Sequence, residues 1–230
     1  MTHASPDAQW PKLLSLAVHE LRTPMTVVGG YIRMLLKERA GPLSDQQRKL
    51  LEEAEKSCGR LSALVAEMSD LSNLEGGTAP FNRAPVDIRT ILDEAIAGLA
   101  PLPDRDVQVE LQPSDASGVV QGDATRLRMA FSSLLLGLRR ELVTSDRLLL
   151  RLSAADVGGV PSVVLAIGDH EQIDAIALAD PSTLTPFDEW RGGSGLSLAN
   201  ARRVIGQHAG RLLSPPGETK AGAVLTLPKG

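Results

Sequence analysis

An unbroken heptad repeat near the N-terminus constrains the fold of this chain more than any other feature. Its apolar positions step alternately by four and three residues, and they are Leu14, Val18, Leu21, Met25, Val28, Ile32 and Leu35. Such a stripe predicts one long amphipathic helix whose apolar seam packs on a neighbouring helix.

A second stripe with the same spacing follows a short polar break. In the break "AGPLSDQQ", Gly41 and Pro42 predict a turn, and Ser44 with Gln47 has the spacing of a capping box. The second stripe comprises Leu50, Ala54, Ser57, Leu61, Leu64, Met68 and Leu71, widened by Leu51, Cys58 and Val65. Residues 8–76 are therefore predicted to form an antiparallel helical hairpin.

A hairpin of this length cannot bury all of its apolar surface by itself. A second copy of the chain would cover that surface in a four-helix-bundle homodimer, which the wide and regular seam favours. The alternative is that the hairpin packs on the rest of its own chain.

After Gly77 the pattern changes to helices mixed with mostly antiparallel strands. A helix is predicted over 85–99 with Asp87 near its start, and "VQVEL", "RLLLRLSA", "SVVLAI", "RLLSP" and "AVLTLP" read as strands. Two further helices lie in "GDATRLRMAFSSLLLGLRREL" and "SGLSLANARRVIGQHAG". The fold class is thus α+β, a helical hairpin followed by a two-layer α/β sandwich over residues 84–230.

Composition limits the partners and the location. The net charge of −4 gives no basic footprint, so we expect no nucleic-acid partner. No apolar run approaches the roughly 20 residues that span a bilayer. The single cysteine, Cys58, cannot form an internal disulfide, which suits a reducing compartment. We therefore expect a cytoplasmic chain with no membrane segment.

His19 is the first candidate functional residue. It follows the seam residue Val18, so the predicted helix exposes it to solvent beside the apolar stripe. Glu20 is adjacent, and Thr23 lies one turn further along the same face. Pro24 removes a backbone hydrogen bond and is expected to bend the helix. An exposed neutral imidazole is a nucleophile, and a neighbouring carboxylate can orient it or accept its proton.

The segment "HELRTP" at residues 19–24 resembles the phosphoacceptor box of sensor histidine kinases, the enzymes of two-component signalling. In that family the histidine takes phosphate from ATP and passes it to an aspartate in the receiver domain of a response regulator. The resemblance implies that His19 is the phosphoacceptor, that Glu20 is its acid/base partner, and that Thr23 serves the phosphatase reaction.

The second half of the chain extends this resemblance. "GDATRLRMAFSSLLLGLRREL" is similar to the N-box helix of the family, and "RGGSGLSLANARRVIGQHAGRL" is similar to its second glycine box. The resemblance implies a Bergerat-type (GHKL/HATPase) catalytic domain, ATP and Mg²⁺ as cofactors, and a structural role for His208. The nucleotide-binding residues it implies are Asp169, Arg140, Gly193, Gly195 and Leu196.

Several residues depart from the family pattern at the nucleotide site. Gly137 stands where the family has a Mg²⁺-binding asparagine, and glycine offers no side-chain oxygen. Bulkier residues replace the glycines expected after Asp169; if Ile173 sets the register, Gly168 even takes the place of the aspartate. Only four residues separate Phe187 from Gly192, where active kinases usually have a longer loop. We predict weakened or lost ATP binding and no metal site.

Three functions remain open from the sequence. The chain can be an active histidine autokinase, a histidine phosphotransfer protein that exchanges phosphate with receiver aspartates, or a non-enzymatic dimeric scaffold that binds a response regulator. The intact "HELRTP" box disfavours the scaffold, and the altered ATP site disfavours the autokinase. The signal and the cognate regulator are not indicated.

Overall fold

The computed structural model describes residues 6–78, 80–102, 105–114, 116, 118–142, 145–189, 196–217 and 222–229. The chain divides into two compact units, Met1–Ala79 and Pro80–Gly230. Among the described residues, no helix is both long enough and apolar enough to cross a bilayer.

The first unit is a helical hairpin of α1 (Pro6–Leu36) and α2 (Asp45–Glu75). The predicted capping box is confirmed. The Gln47 backbone N–H donates to Ser44 Oγ at 3.3 Å, and the Ser44 backbone N–H donates to Gln47 Oε1 at 2.8 Å. In the turn between the helices, Gly41 has a φ of 119°, a conformation that glycine adopts without strain. These contacts fix where α2 begins.

Few side chains are fully buried between the two helices. Those that are buried and apolar are Leu14 and Val18 of α1 and Val65, Leu71 and Leu74 of α2. Midway along the hairpin, a Cβ on Gly29 would lie 3.2 Å from Cys58 Sγ, so glycine allows a close approach of the helices there. Near the open end, Ser72 Oγ donates to the Pro11 carbonyl at 2.7 Å.

The second unit is built on a five-stranded mixed sheet with the order β2-β4-β5-β7-β6. Its strands are β2 (Gln108–Leu111), β4 (Arg147–Val157), β5 (Val160–Gly168), β6 (Arg211–Leu213) and β7 (Ala223–Pro228). β2 pairs with β4 in parallel, and the other neighbours are antiparallel. A separate ribbon pairs β1 (Ala84–Asp87) with β3 (Val119–Gly122).

The described part of the second unit also contains four helices, which are α3 (Ile88–Ala97), α4 (Ala124–Glu141), α5 (Ile173–Leu178) and α6 (Leu196–Gln207). α4 packs against both α3 and α6. On one side of the sheet, the central strands contribute fully buried side chains such as Leu150, Leu165 and Leu225. On the opposite side of the sheet, Ile173 and Ile176 of α5 join a smaller apolar cluster. The predicted α+β fold class is confirmed.

The structure corrects the predicted helix over 85–99. Pro85 and Asp87 lie in β1, because their backbone pairs with β3, and the helix begins only at Ile88. Asp87 is the N-cap, with Oδ1 accepting the Arg89 backbone N–H at 3.2 Å. The short elements β1, β3 and α5 were not predicted from the sequence.

Candidate functional site

His19 lies in the middle of α1 and is exposed, as predicted, while its neighbour Val18 is only 2% exposed. Glu20 and Thr23 are exposed as well. The helical periodicity places His19 and Thr23 on one face, one turn apart. The imidazole is thus held on a helix whose other side is packed against α2, and it is accessible to a macromolecular partner.

α1 continues through Pro24 without a break. Since proline has no backbone N–H, the carbonyl of Glu20 receives no helical hydrogen bond from residue 24. Two residues later, Thr26 Oγ1 donates to the Arg22 carbonyl at 2.8 Å. The backbone beside His19 therefore carries a local change in the helical hydrogen-bond pattern.

A shallow groove runs between α1 and α2 on the C-terminal side of His19. It is lined by Met25, Thr26, Gly29, Cys58, Gly59 and Ser62 among other residues. Its walls are made largely of small side chains, so the backbones of both helices are close to solvent there. Arg33 and Glu55 border it with opposite charges.

Asp169 lies in the second unit, directly after β5, and is 7% exposed. Its Oδ1 accepts the backbone N–H groups of Glu171 and Gln172, each at 3.0 Å. The carboxylate therefore organises the turn that leads into α5. On the preceding residue, Gly168, a Cβ would lie 2.6 Å from Ile176 Cδ1, so a larger residue would require α5 to shift.

Arg140 is exposed near the end of α4, whereas Gly137 is buried. Within the described residues, no hydrogen bond or ion pair joins Arg140 to Asp169. The carbonyls of Arg139 and Arg140 accept from Arg105 Nη2 at 3.1 and 3.2 Å, which satisfies the end of the helix. Leu196 is half-buried at the start of α6, and Gly193 and Gly195 lie outside the described residues.

A buried ion-pair cluster follows Phe187, and sequence reasoning missed it. Phe187 is 1% exposed, and its backbone N–H donates to the Leu212 carbonyl at 3.1 Å. Glu189, 4% exposed, accepts from Arg202 at 2.7 Å and from Arg203 at 3.3 Å. These contacts attach the segment after Phe187 to α6. An acidic residue and a later arginine pair are too common for the sequence to have revealed the pairing.

His208, immediately after α6, is 6% exposed and bonded through both ring nitrogens. Nδ1 lies 2.7 Å from the Val204 carbonyl, and Nε2 accepts the Asp123 backbone N–H at 2.9 Å. Since a carbonyl can only accept and an N–H can only donate, the ring is neutral with its proton on Nδ1. This geometry agrees with a structural role for His208.

Asp123, the N-cap of α4, completes this cluster. Burial opposes its ionisation, but the backbone N–H groups of Asn82 and Arg126, followed by the charge of Arg126, outweigh burial and lower the pKa of its carboxyl group. Arg126 in turn donates to the Pro80 carbonyl at 2.7 and 3.0 Å. Residues 80–82 are thereby held against the start of α4.

Residues 11–77 match the family model described as the His Kinase A (phospho-acceptor) domain. Over most of its length the chain is also similar to named kinases. It is 26% identical to the circadian input-output histidine kinase CikA of Synechococcus elongatus, over 87% of this chain and 27% of CikA. It is 28% identical to the probable sensor histidine kinase TcrY of Mycobacterium tuberculosis, over 92% of this chain and 44% of TcrY. The chain thus spans less than half the length of these relatives.

Two solved structures share the fold. One is titled a crystal structure of full-length ShkA in complex with AMPPNP, with a TM-score of 0.59 and 22% identity over 96% of this chain and 46% of that one. The other is the Acinetobacter baumannii histidine kinase AdeS, with a TM-score of 0.51 and 18% identity over 92% of this chain and 98% of that one.

The helical hairpin with its exposed histidine is thus matched by the phospho-acceptor domain model of histidine kinases. Together with the mixed α/β sheet domain that follows it, the chain is similar over most of its length to proteins named sensor histidine kinases and has their fold.

Proposed function

We propose that this chain carries phosphate on His19 and exchanges it with an aspartate in the receiver domain of a response regulator. The observation that carries the proposal is an exposed His19 in an uninterrupted "HELRTP" box, in the middle of α1 and inside the segment that matches the phospho-acceptor domain. A receiver domain can reach this imidazole without any rearrangement of the hairpin.

The chemistry is a phosphoryl exchange between a nitrogen and an oxygen. An imidazole nitrogen of His19 attacks the phosphorus of a receiver aspartyl phosphate; the N–P bond forms as the P–O bond to the aspartyl carboxylate breaks. The proton on the other imidazole nitrogen passes to Glu20 or to water. The reverse step returns phosphate to a receiver aspartate.

Glu20 and Thr23 assist His19 in this proposal. Glu20 is adjacent in sequence and exposed, so its carboxylate can orient the imidazole or hold its proton. Thr23 lies one helical turn away, where its hydroxyl can position a water for hydrolysis of the phosphohistidine. Within the part of the chain that the structure describes, no hydrogen bond fixes either side chain, so both are able to turn toward a docked partner.

The chain acts as a homodimer in this proposal. One protomer leaves a broad apolar surface on its hairpin, formed by Leu13, Leu16, Leu21, Val27, Val28, Tyr31 and Met34 of α1 and Leu50, Leu61 and Leu64 of α2. A contiguous apolar surface of this kind marks an interaction site in a protein outside the membrane. A second hairpin covers it with matching heptad spacing and completes a four-helix bundle.

We further propose that ATP binding is weakened or lost. The residues of this chain do not fit a Mg²⁺–nucleotide complex well: Gly137 offers no side-chain oxygen, and one carboxylate oxygen of Asp169 is already engaged by two backbone N–H groups. Counted from Asp169, Glu171 and Ile173 stand where the family has glycines. The phosphate on His19 therefore comes from receiver domains, and the chain works as a histidine phosphotransferase in the cytoplasm.

Two other functions have specific support. The relatives are named as kinases, and ShkA was crystallised in complex with AMPPNP, which favours an ATP-dependent autokinase and phosphatase. The exposed apolar hairpin surface favours a dimeric scaffold that binds a response regulator without chemistry.

A receiver domain phosphorylated with a small phosphodonor tests the proposal. We expect the full chain to take up acid-labile phosphate from it without nucleotide, and His19→Gln to lose at least a hundredfold of this transfer, the usual scale of an essential proton-transfer or nucleophilic group. The matched control is His170→Gln, which removes another exposed histidine and should transfer normally. Transfer that survives in His19→Gln would show that the assignment of His19 is wrong.

A further inference from the structure

His208 joins three parts of the second unit that are distant in sequence. It follows α6 directly, its Nε2 accepts the backbone N–H of Asp123 at the start of α4, and its ring lies 4.6 Å from the ring of Phe81, centroid to centroid. Arg83, two residues after Phe81 and with its Cζ 5.2 Å from the centre of the Phe81 ring, donates to the Gln207 carbonyl at 3.2 Å. α6, α4 and the segment 80–83 therefore meet at one imidazole.

The ring has little room to move. A Cβ on Gly122 would lie 2.7 Å from His208 Cδ2, 2.9 Å from Nε2 and 3.0 Å from Leu127 Cδ1. Its two hydrogen bonds fix the orientation of the ring, since Nδ1 donates to Val204 O and Nε2 accepts from Asp123 N. Rotation of the ring would break both bonds at once.

Protonation is incompatible with this arrangement. A proton on Nε2 would place two donors, the imidazolium N–H and the Asp123 backbone N–H, against each other in a buried position. An unpaired buried donor is costly, and a buried charge more so. The imidazolium would gain from the Asp123 carboxylate but would also face the guanidinium groups of Arg83 and Arg126.

We propose that His208 is an acid-sensitive latch, which as a neutral imidazole ties α6 and the segment 80–83 to the start of α4, and which opens when Nε2 is protonated. The latch acts on the second unit and does not depend on phosphate transfer at His19. Its expected consequence is a loss of stability of that unit in mildly acidic solution.

The direction of the pH effect on stability follows from the direction in which the pKa of His208 is shifted. Burial is the largest cause that lowers the pKa of His208; the Val204 carbonyl and Asp123 oppose it, and Arg83 and Arg126 add to it. Below about pH 6.5, His208 therefore binds a proton more readily in the unfolded chain than in the folded chain. The stabilisation is complete above that pH and declines as the pH falls below it. Asp123, with its lowered pKa, acts in a separate window below about pH 4.

The wild-type chain tests the latch without any substitution. The protein has four histidines, so the imidazole ¹⁵N and ¹³C resonances of His208 can be assigned and followed by NMR against pH. We expect the Nδ1–H tautomer at neutral pH and a midpoint clearly below that of the exposed His170. An Nε2–H tautomer, or a midpoint equal to that of His170, would overturn the proposal.

A substitution pair tests the consequence. In urea unfolding between about pH 7.5 and 5.5, the folding equilibrium constant of the wild type should fall relative to His208→Gln by up to about tenfold per pH unit. The control, His170→Gln, should follow the wild type. If the folding equilibrium constants of the wild type and of His208→Gln change equally with pH, the proposed latch is wrong. Gly122→Ala keeps the histidine but displaces its ring, so the pH midpoint of His208 protonation should move toward that of His170. An unchanged midpoint would contradict the proposed latch.

Discussion

The two units of this chain differ in what they bury and in what they keep of their family's chemistry. The hairpin leaves about half of its large apolar side chains at least 40% exposed, but its "HELRTP" box is intact. The second unit buries most of its leucines and valines in a sheet-and-helix core, but its sequence departs from the kinase pattern at the positions where nucleotide binding would be expected. In our proposal, the unit with the larger core is also the unit whose ligand site has diverged.

This contrast separates the requirements of fold from those of a site. The core of the second unit depends on many apolar side chains, and each of them contributes whether or not a nucleotide binds. The proposed phosphate-accepting site at His19 depends on only a few exposed residues, which contribute little to stability. A chain can therefore keep one property while it loses the other.

The largest expected effect is a truncation in the second core. Leu150 is fully buried in β4, so Leu150→Ala should lower the free energy of unfolding of the second unit by about 2–5 kcal/mol. Chemical denaturation followed by circular dichroism measures this loss. Receiver-dependent phosphate uptake by His19 should persist wherever the hairpin stays folded; its complete loss under native conditions would mean that the two units are not separable.

A smaller effect is expected from the same substitution on the hairpin. Leu61 is 53% exposed in one protomer, and covering it in a dimer is worth roughly 1 kcal/mol per copy, about half the value of burying a whole leucine. Because both copies lose this contact, Leu61→Ala should raise the dissociation constant of the dimer roughly thirtyfold, measured by analytical ultracentrifugation.

The control for Leu61 is Leu178→Ala, since Leu178 is 87% exposed on α5 of the second unit. It should leave the dimer unchanged. A monomeric wild-type chain, or equal effects of the two substitutions, would contradict the proposed four-helix bundle.

The long elements could be predicted because their signals are local. The heptad stripe and the Ser44–Gln47 capping box identify α1 and α2 from residues within a few turns of each other. β1 and β3 were missed because each has only four residues, and they are stabilised by pairing with each other across a long stretch of sequence. α5 was missed because it has six residues and depends on contacts with the sheet.

The candidate sites also differ in whether their signals are local in the sequence. The exposure of His19 follows from its place beside Val18 in a helical pattern, so the sequence was enough to predict it. The bonds of His208 to Asp123 and of Glu189 to the arginines of α6 join distant segments, and no spacing rule indicates them. The sequence indicated that His208 is structural but not which atoms it joins.

We propose above that the second unit keeps the kinase fold without effective ATP binding. Isothermal titration of the full chain with ATP and Mg²⁺, with the same titration of an active family member as a positive control, tests it most directly. We predict no measurable heat of binding, in a preparation that still accepts phosphate on His19 from a phosphorylated receiver. Saturable micromolar binding, together with stoichiometric labelling of His19 from ATP, would contradict the claim and make the chain an autokinase.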